Sequence, residues 1–171
     1  RDDTSNPEVR VTQSMLGFES GARGQLDADL TTSRRALARQ PYFAADHNSF
    51  GLALQDQGQI DAAVDSFRQA VKIKPGLAEA HSNLSFALRE LGQLDGALAS
   101  SRQAVALKPD FAEAHNKLGL ALQDLMRYED AATSFNRALE IRPNLAEIHS
   151  NLGNVLNSPG RLDDARRSHQ R

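Results

Sequence analysis

Residues 78–111 read AEAHSNLSFALRELGQLDGALASSRQAVALKPDF, residues 112–145 read AEAHNKLGLALQDLMRYEDAATSFNRALEIRPNL, and the two stretches are identical at 12 of 34 positions. Two copies joined end to end, with no residue between them, mark a structural unit that the chain uses more than once. The period extends outward from them. Pro41, Pro75, Pro109 and Pro143 stand 34 residues apart, as do His47, His81, His115 and His149. Gly24, Gly58 and Gly92 keep the same interval, Met126 interrupts it, and Gly160 resumes it. Upstream, Gln25-Leu26-Asp27-Ala28 matches Gln59-Ile60-Asp61-Ala62 and reveals a worn copy that begins near Arg10. The chain therefore divides into an N-terminal extension at 1–9, expected to be disordered, a degenerate copy at 10–43, full copies at 44–77, 78–111 and 112–145, and an incomplete copy at 146–171.

Within one copy the apolar residues fall at helical spacing twice: Leu84, Leu88 and Leu91, then Leu94, Leu98, Val105 and Leu107. Each copy is thus predicted to be a helical hairpin. Gly92 suits the left-handed residue that ends the first helix, and Pro75 and Pro109 suit the first turn of the helix that follows. A single hairpin cannot bury its apolar face, so neighbours must stack. The predicted fold is all-α: a solenoid of stacked antiparallel helix pairs wound into a right-handed superhelix.

The composition excludes several classes of function. The chain of 171 residues carries 20 Lys plus Arg against 22 Asp plus Glu, so it lacks the basic excess that draws a protein to nucleic acid or to an anionic membrane. It has no cysteine and therefore no disulfide, thiolate metal site or thiol nucleophile. No apolar run reaches the roughly 18 residues a membrane span requires, and the first 20 residues contain no signal-peptide core. The expectation is a cytoplasmic protein with neither nucleic-acid nor membrane partners. An opening Arg1 and an unfinished last copy suggest a piece of something longer.

His115, Leu118, Gly119, Leu122, Ala131, Phe135, Ala138 and Pro143 in one copy, and His47, Phe50, Gly51, Leu54, Ala63, Phe67, Ala70 and Pro75 in another, resemble the tetratricopeptide repeat. The repeats look most like those of the O-GlcNAc transferase superhelix and of bacterial tetratricopeptide proteins. Small residues at Gly51, Ala63, Gly119 and Ala131 would let two helices approach, with Phe67 and Phe135 filling the space between them. Ser101 replaces that phenylalanine in the second full copy, which should pack less fully. Pro159 should shorten the first helix of the last copy.

The histidine column does not suggest a metal. Equivalent residues in stacked repeats lie about 8–10 Å apart, whereas ligands of one zinc lie about 2 Å from it. Each histidine is instead expected to replace a packing aromatic, with its polar edge satisfied locally. No phosphate loop, nucleophile elbow or zinc-binding histidine pair occurs, so the chain is expected to be no enzyme and to hold no cofactor or metal.

The stronger lead is the face of each first helix that the core does not require. It carries Asn48, Ser49, Leu52, Gln55 and Asp56; then Glu79, Ser82, Asn83, Phe86, Arg89 and Glu90; then Glu113, Asn116, Lys117, Leu120, Gln123 and Asp124; then Asn151. Phe18, Leu52, Phe86 and Leu120 form an apolar column along this otherwise polar face, the pattern of a binding groove. The alternative is that the column only extends the core. The resemblance implies a concave groove that grips peptides or helices, with Asn83 and Asn151 placed like a partial asparagine ladder and no Lys/Arg clamp for a terminal carboxylate. The function expected is a protein-interaction module for a neutral or basic segment with apolar anchors. The alternative is the non-catalytic substrate-recruiting arm of a larger enzyme such as an O-GlcNAc transferase-like glycosyltransferase. The incomplete last copy could also support homo-oligomers by head-to-tail stacking.

Overall fold

A computed structural model describes residues 24–25, 27–28, 30–35 and 43–158 of the chain. Seven helices follow one another from residue 44: α1 Ala44–Asp56, α2 Ile60–Ile73, α3 Ala78–Glu90, α4 Leu94–Leu107, α5 Ala112–Asp124, α6 Tyr128–Ile141 and α7 Ala146–Leu156. Residues 30–35 are helical as well, and Leu30 is buried with core residues of α1, α2 and α3. No strand occurs among the described residues, and no helix there is long and apolar enough to cross a membrane. The extension at 1–9, Arg10, Phe18 of the apolar column, Pro41, and everything from Pro159 onward lie outside the described residues.

The turn between the helices of a pair is built the same way each time. Gly58 has φ +74° and Gly92 φ +71°, and Met126 adopts φ +57° at the equivalent place. The residue after each donates its N–H five positions back along the turn, Gln59 to Leu54 at 2.9 Å, Gln93 to Leu88 at 2.8 Å and Arg127 to Leu122 at 2.8 Å. This is the Schellman closure of a helix end, which needs one residue in the left-handed region. Asp61, Asp95 and Glu129 then sit in the first turns of α2, α4 and α6, where the partial positive charge of the helix end favours an acid.

The prolines act differently from the expectation. Lys74, Lys108 and Arg142 are the C-cap residues of α2, α4 and α6, and Pro75, Pro109 and Pro143 come directly after them. Each proline stops the second helix of a pair, because its ring disfavours helical backbone in the residue before it. The next helix starts three residues later, at Ala78, Ala112 and Ala146. The same physics shortens α7, which has 11 residues where α1, α3 and α5 have 13 and which stops ahead of the sequence Ser158-Pro159.

The two helices of a pair touch through a glycine and a phenylalanine. A Cβ on Gly51 would lie 2.5 Å from the Phe67 ring, and one on Gly119 would lie 2.5 Å from the Phe135 ring. Both rings are wholly buried, beside Ala63, Ala70, Ala131 and Ala138, which are also fully enclosed. In the second full pair both partners change together. Ser85 takes the glycine position and Ser101 the phenylalanine position; both are buried, and Ser101 Oγ donates back to Ala97 O at 2.9 Å. The buried apolar residues accordingly form two clusters, one running from Leu30 to Ala97 together with Ala121, the other from Leu98 to Val155. The division passes through this serine-lined pair, yet Ser101 is fully enclosed and no looser packing is seen there.

Each second helix packs on the first helix of the next pair, and the first helices also contact one another, α1 with α3, α3 with α5 and α5 with α7. The second helices make no comparable contact among themselves. Close spacing on one side and wide spacing on the other bends the stack, which puts α1, α3, α5 and α7 on the inner, shorter wall.

Candidate functional site

The inner wall is tied together by side chains one repeat apart. Asn83 Nδ2 on α3 donates to Asn48 Oδ1 on α1 at 3.0 Å. Lys117 Nζ on α5 donates to Asn83 Oδ1 at 3.0 Å. Further along, Asn151 Nδ2 on α7 donates to Asn116 Oδ1 on α5 at 3.2 Å, and Asn116 Nδ2 donates to Glu147 Oε1 at 3.3 Å. Arg89 on α3 reaches Asp124 at the end of α5, Nε to Oδ2 at 2.6 Å. A first helix is thus joined to the next by polar groups on its inner face, while the core joins them behind.

Lys117 is the unusual member. Its ammonium lies 5.7 Å from the centre of the Phe86 ring, a cation–π contact. Withdrawal from water pushes its pKa down to about 8, against the opposing pull of the Glu113 and Glu147 carboxylates. Those carboxylates are engaged elsewhere, Glu113 with Arg142 and Glu147 with Asn116. The inner wall therefore holds a desolvated cation whose direct partners are an amide oxygen and an aromatic face.

The apolar column changes along its length. Leu52 is 38% exposed, Phe86 is half-buried beneath Lys117, and Leu120 is half-buried against the second core cluster. Gln55 and Gln123 flank it, each with a buried side-chain oxygen that has no hydrogen-bond partner. Glu79 belongs to a different place. Its carboxylate is 3.2 Å from Lys108 Nζ at the end of α4, and its pKa is lowered first by its own backbone N–H and then by that lysine. Ser82, expected on the open face, is fully buried, and its hydroxyl has no hydrogen-bond partner. Close approach of the first helices encloses the short side chain that the sequence places on their contact line. Asn48 and Asp124, both expected on this face, are the partners of Asn83 and Arg89; the signal for the pairing is an offset of 35 residues between complementary polar groups on successive first helices.

The histidines have a common use. His81 Nε2 donates to Pro75 O at 2.9 Å, His115 to Pro109 O at 3.0 Å and His149 to Pro143 O at 2.8 Å. In these three units the two most regular residue types of the sequence are thus one feature, a histidine that ties the first turn of α3, α5 or α7 to the proline loop before it.

A layered stack of helix pairs with a polar-rimmed inner wall is the architecture of a helical-repeat scaffold. The sequence profile of the TPR repeat matches residues 51–88, 87–125 and 127–165, well over half of the chain, and the chain belongs to the TPR repeat family. Proteins of this kind are generally non-catalytic interaction modules. Among solved structures, the first TPR of Spaghetti (RPAP3) bound to the HSP90 peptide SRMEEVD is similar at 26% identity and a TM-score of 0.64, covering 66% of this chain and 89% of that one. The crystal structure of MamA is similar at 22% identity and a TM-score of 0.72, covering 89% of each chain. The first TPR domain of human RPAP3 is similar at 24% identity and a TM-score of 0.68, covering 74% of this chain and 98% of that one. No curated protein sequence matches the chain.

Proposed function

We propose that this chain is a non-catalytic protein-interaction module that receives a peptide or helical segment of a partner along its inner wall. The observation that carries this reading is the combination of an accessible apolar column, Leu52 and Phe86, with a row of amides that still has bonding capacity. Asn83 gives one N–H to Asn48 and accepts one bond from Lys117, which leaves a second N–H and a second lone pair for a peptide group. Asn116 and Asn151 offer similar capacity one repeat further along. Leu52 and Phe86 supply apolar anchor points, Leu120 closes the column against the core, and Gln55, Arg89, Lys117 and Gln123 form its polar margin. Glu79 stands at the rim. The repeat units proposed are those of the 34-residue period, and the peptide seated on the 26%-identical TPR structure supports the same mode of use. Exposed Asp56, Glu90 and Glu147 favour a neutral or basic segment.

The test is capture of partners from the source organism by the wild type, compared with Leu52→Lys and Phe86→Lys, with thermal melting as the control on folding. Loss of the same captured polypeptides in both variants, with Tm within a few degrees of wild type, is the expected result. Capture unchanged in two well-folded variants would reject the inner wall as the site.

A further inference from the structure

A corner recurs in each full unit where its second helix ends. In the second unit Lys108, the C-cap of α4, lies 3.2 Å from the carboxylate of Glu79 on the first turn of α3 and 4.9 Å over the ring of Phe111. In the third unit Arg142, the C-cap of α6, pairs with Glu113 on the first turn of α5. The first unit has the cation, Lys74 at the C-cap of α2, but the position of the acid is Ala45. Among the described residues Lys74 has no ion pair, and Glu79, the acid that feels its field, is already held by Lys108. A pocket of about 320 Å³ opens at this corner, lined by Phe43, Ala44, Ala45, Ile73, Lys74 and Leu77, with Phe43 53% exposed.

We infer that this corner is a second binding site, separate from the inner wall, for a glutamate side chain of a partner polypeptide flanked by an aliphatic residue. The two sister corners show what the site accepts: in each, a glutamate side chain reaches the cation at the end of the second helix. In the first unit that glutamate is missing from the chain, and Ala45 leaves the space beyond its Cβ open. A glutamate supplied from outside would meet Lys74 in the same way. Phe43, Ile73 and Leu77 give an apolar wall for the residue beside it, so burial adds to an ion pair that is weak when alone.

The probe is the blocked peptide acetyl-Leu-Glu-Leu-amide, followed by NMR on the full chain, with acetyl-Leu-Gln-Leu-amide and octanoate as comparisons. The glutamate peptide is expected to bind in the millimolar range and shift the signals of Phe43, Ala45, Lys74 and Leu77. Lys74→Met is expected to weaken it at least fivefold, and Ala45→Glu, which supplies the missing acid internally, to abolish it. The glutamine peptide should bind at least fivefold more weakly. Phe86→Lys should leave the corner's shifts unchanged, which separates failure here from failure of the inner-wall reading. Undiminished binding to a folded Ala45→Glu variant overturns the inference, as do shifts confined to the inner wall. Octanoate binding the corner as tightly as the peptide would overturn a polypeptide occupant.

Discussion

Lys117 Nζ on α5 hydrogen-bonds Asn83 Oδ1 on α3 at 3.0 Å, and through Asn83 it is linked to Asn48 on α1, so one ammonium group anchors a chain of side chains across three repeats. The link carries a cost that depends on pH.

Burial lowers the pKa of Lys117 from the ordinary 10.5 to about 8. Between these values the unfolded chain keeps the proton and the folded chain has released it, so stability rises with pH across that window. Below about pH 8 both states are charged and the penalty of burying the ammonium is fully present. Lys117→Met keeps the apolar stem and removes the charge, and is expected to stabilise the protein at pH 7 by about 2 kcal/mol. Urea denaturation of both proteins from pH 7 to pH 10.5 would show the advantage of the variant shrinking towards zero. An advantage independent of pH would contradict the buried-ammonium account.

The contact between Gly119 and Phe135 leaves no room for a methyl group, since the added Cβ would lie 2.5 Å from a ring that is wholly buried. Gly119→Ala is expected to cost about 2–3 kcal/mol through overpacking. Gly153, in the same position of the last first helix, has no atom within 4 Å of the added Cβ among the described residues. Gly153→Ala should therefore gain about 0.5–1 kcal/mol from helix propensity. Chemical denaturation of the two alanine variants gives opposite signs if the ring, rather than the helix, demands glycine at Gly119.

Much of this molecule was legible because its repeat imposes the same physics on the same residue types. The period of Pro75, Pro109 and Pro143 matches the spacing at which α3, α5 and α7 begin, and the spacing of Leu84, Leu88 and Leu91 reads as a helix, since stacked pairs must bury one face at each copy. The role of the prolines was misread because a proline is compatible both with a helix start and with a helix stop. Only the position of the C-cap residue, Lys74 or Lys108, separates the two. Ser82 was misplaced for another reason: a short polar side chain on a helix face reads as solvated unless the neighbouring helix is known to cover it. The inner-wall ladder follows from distances between successive first helices, which a period alone does not supply. The period places Asn83 on a first helix, but it does not supply the bonds to Asn48 and Lys117.

Met126 occupies the left-handed turn position that Gly58 and Gly92 hold in the preceding units, with φ +57° and a side chain 64% exposed. A residue with a Cβ is strained there by about 1–2 kcal/mol. Met126→Gly gives back part of this gain through the freer unfolded chain, so a net stabilisation of about 0.5–1 kcal/mol is expected. Gly92→Ala should shift stability by a similar amount in the opposite direction. Equal melting temperatures for Met126→Gly and wild type would show that the turn carries no strain.

The serines of the second unit allow the last test, because Ser85 and Ser101 replace the glycine and the phenylalanine of the contact that the other two full units use. Ser101→Phe alone sets a ring against the side chain of Ser85, the collision that a Cβ at Gly51 would have with Phe67 at 2.5 Å. It is expected to leave stability unchanged or lower it. Ser85→Gly alone removes a buried side chain from a helix and should destabilise by about 1 kcal/mol. The double variant restores the packing of the neighbouring units and joins the two core clusters through one buried ring. It is expected to be more stable than wild type by about 1–3 kcal/mol, so the coupling energy between the two sites would be large and favourable. A double-mutant cycle measured in urea reads this coupling directly. Additive effects would mean that the second pair is not assembled around these two positions, and that the division of the core has another origin.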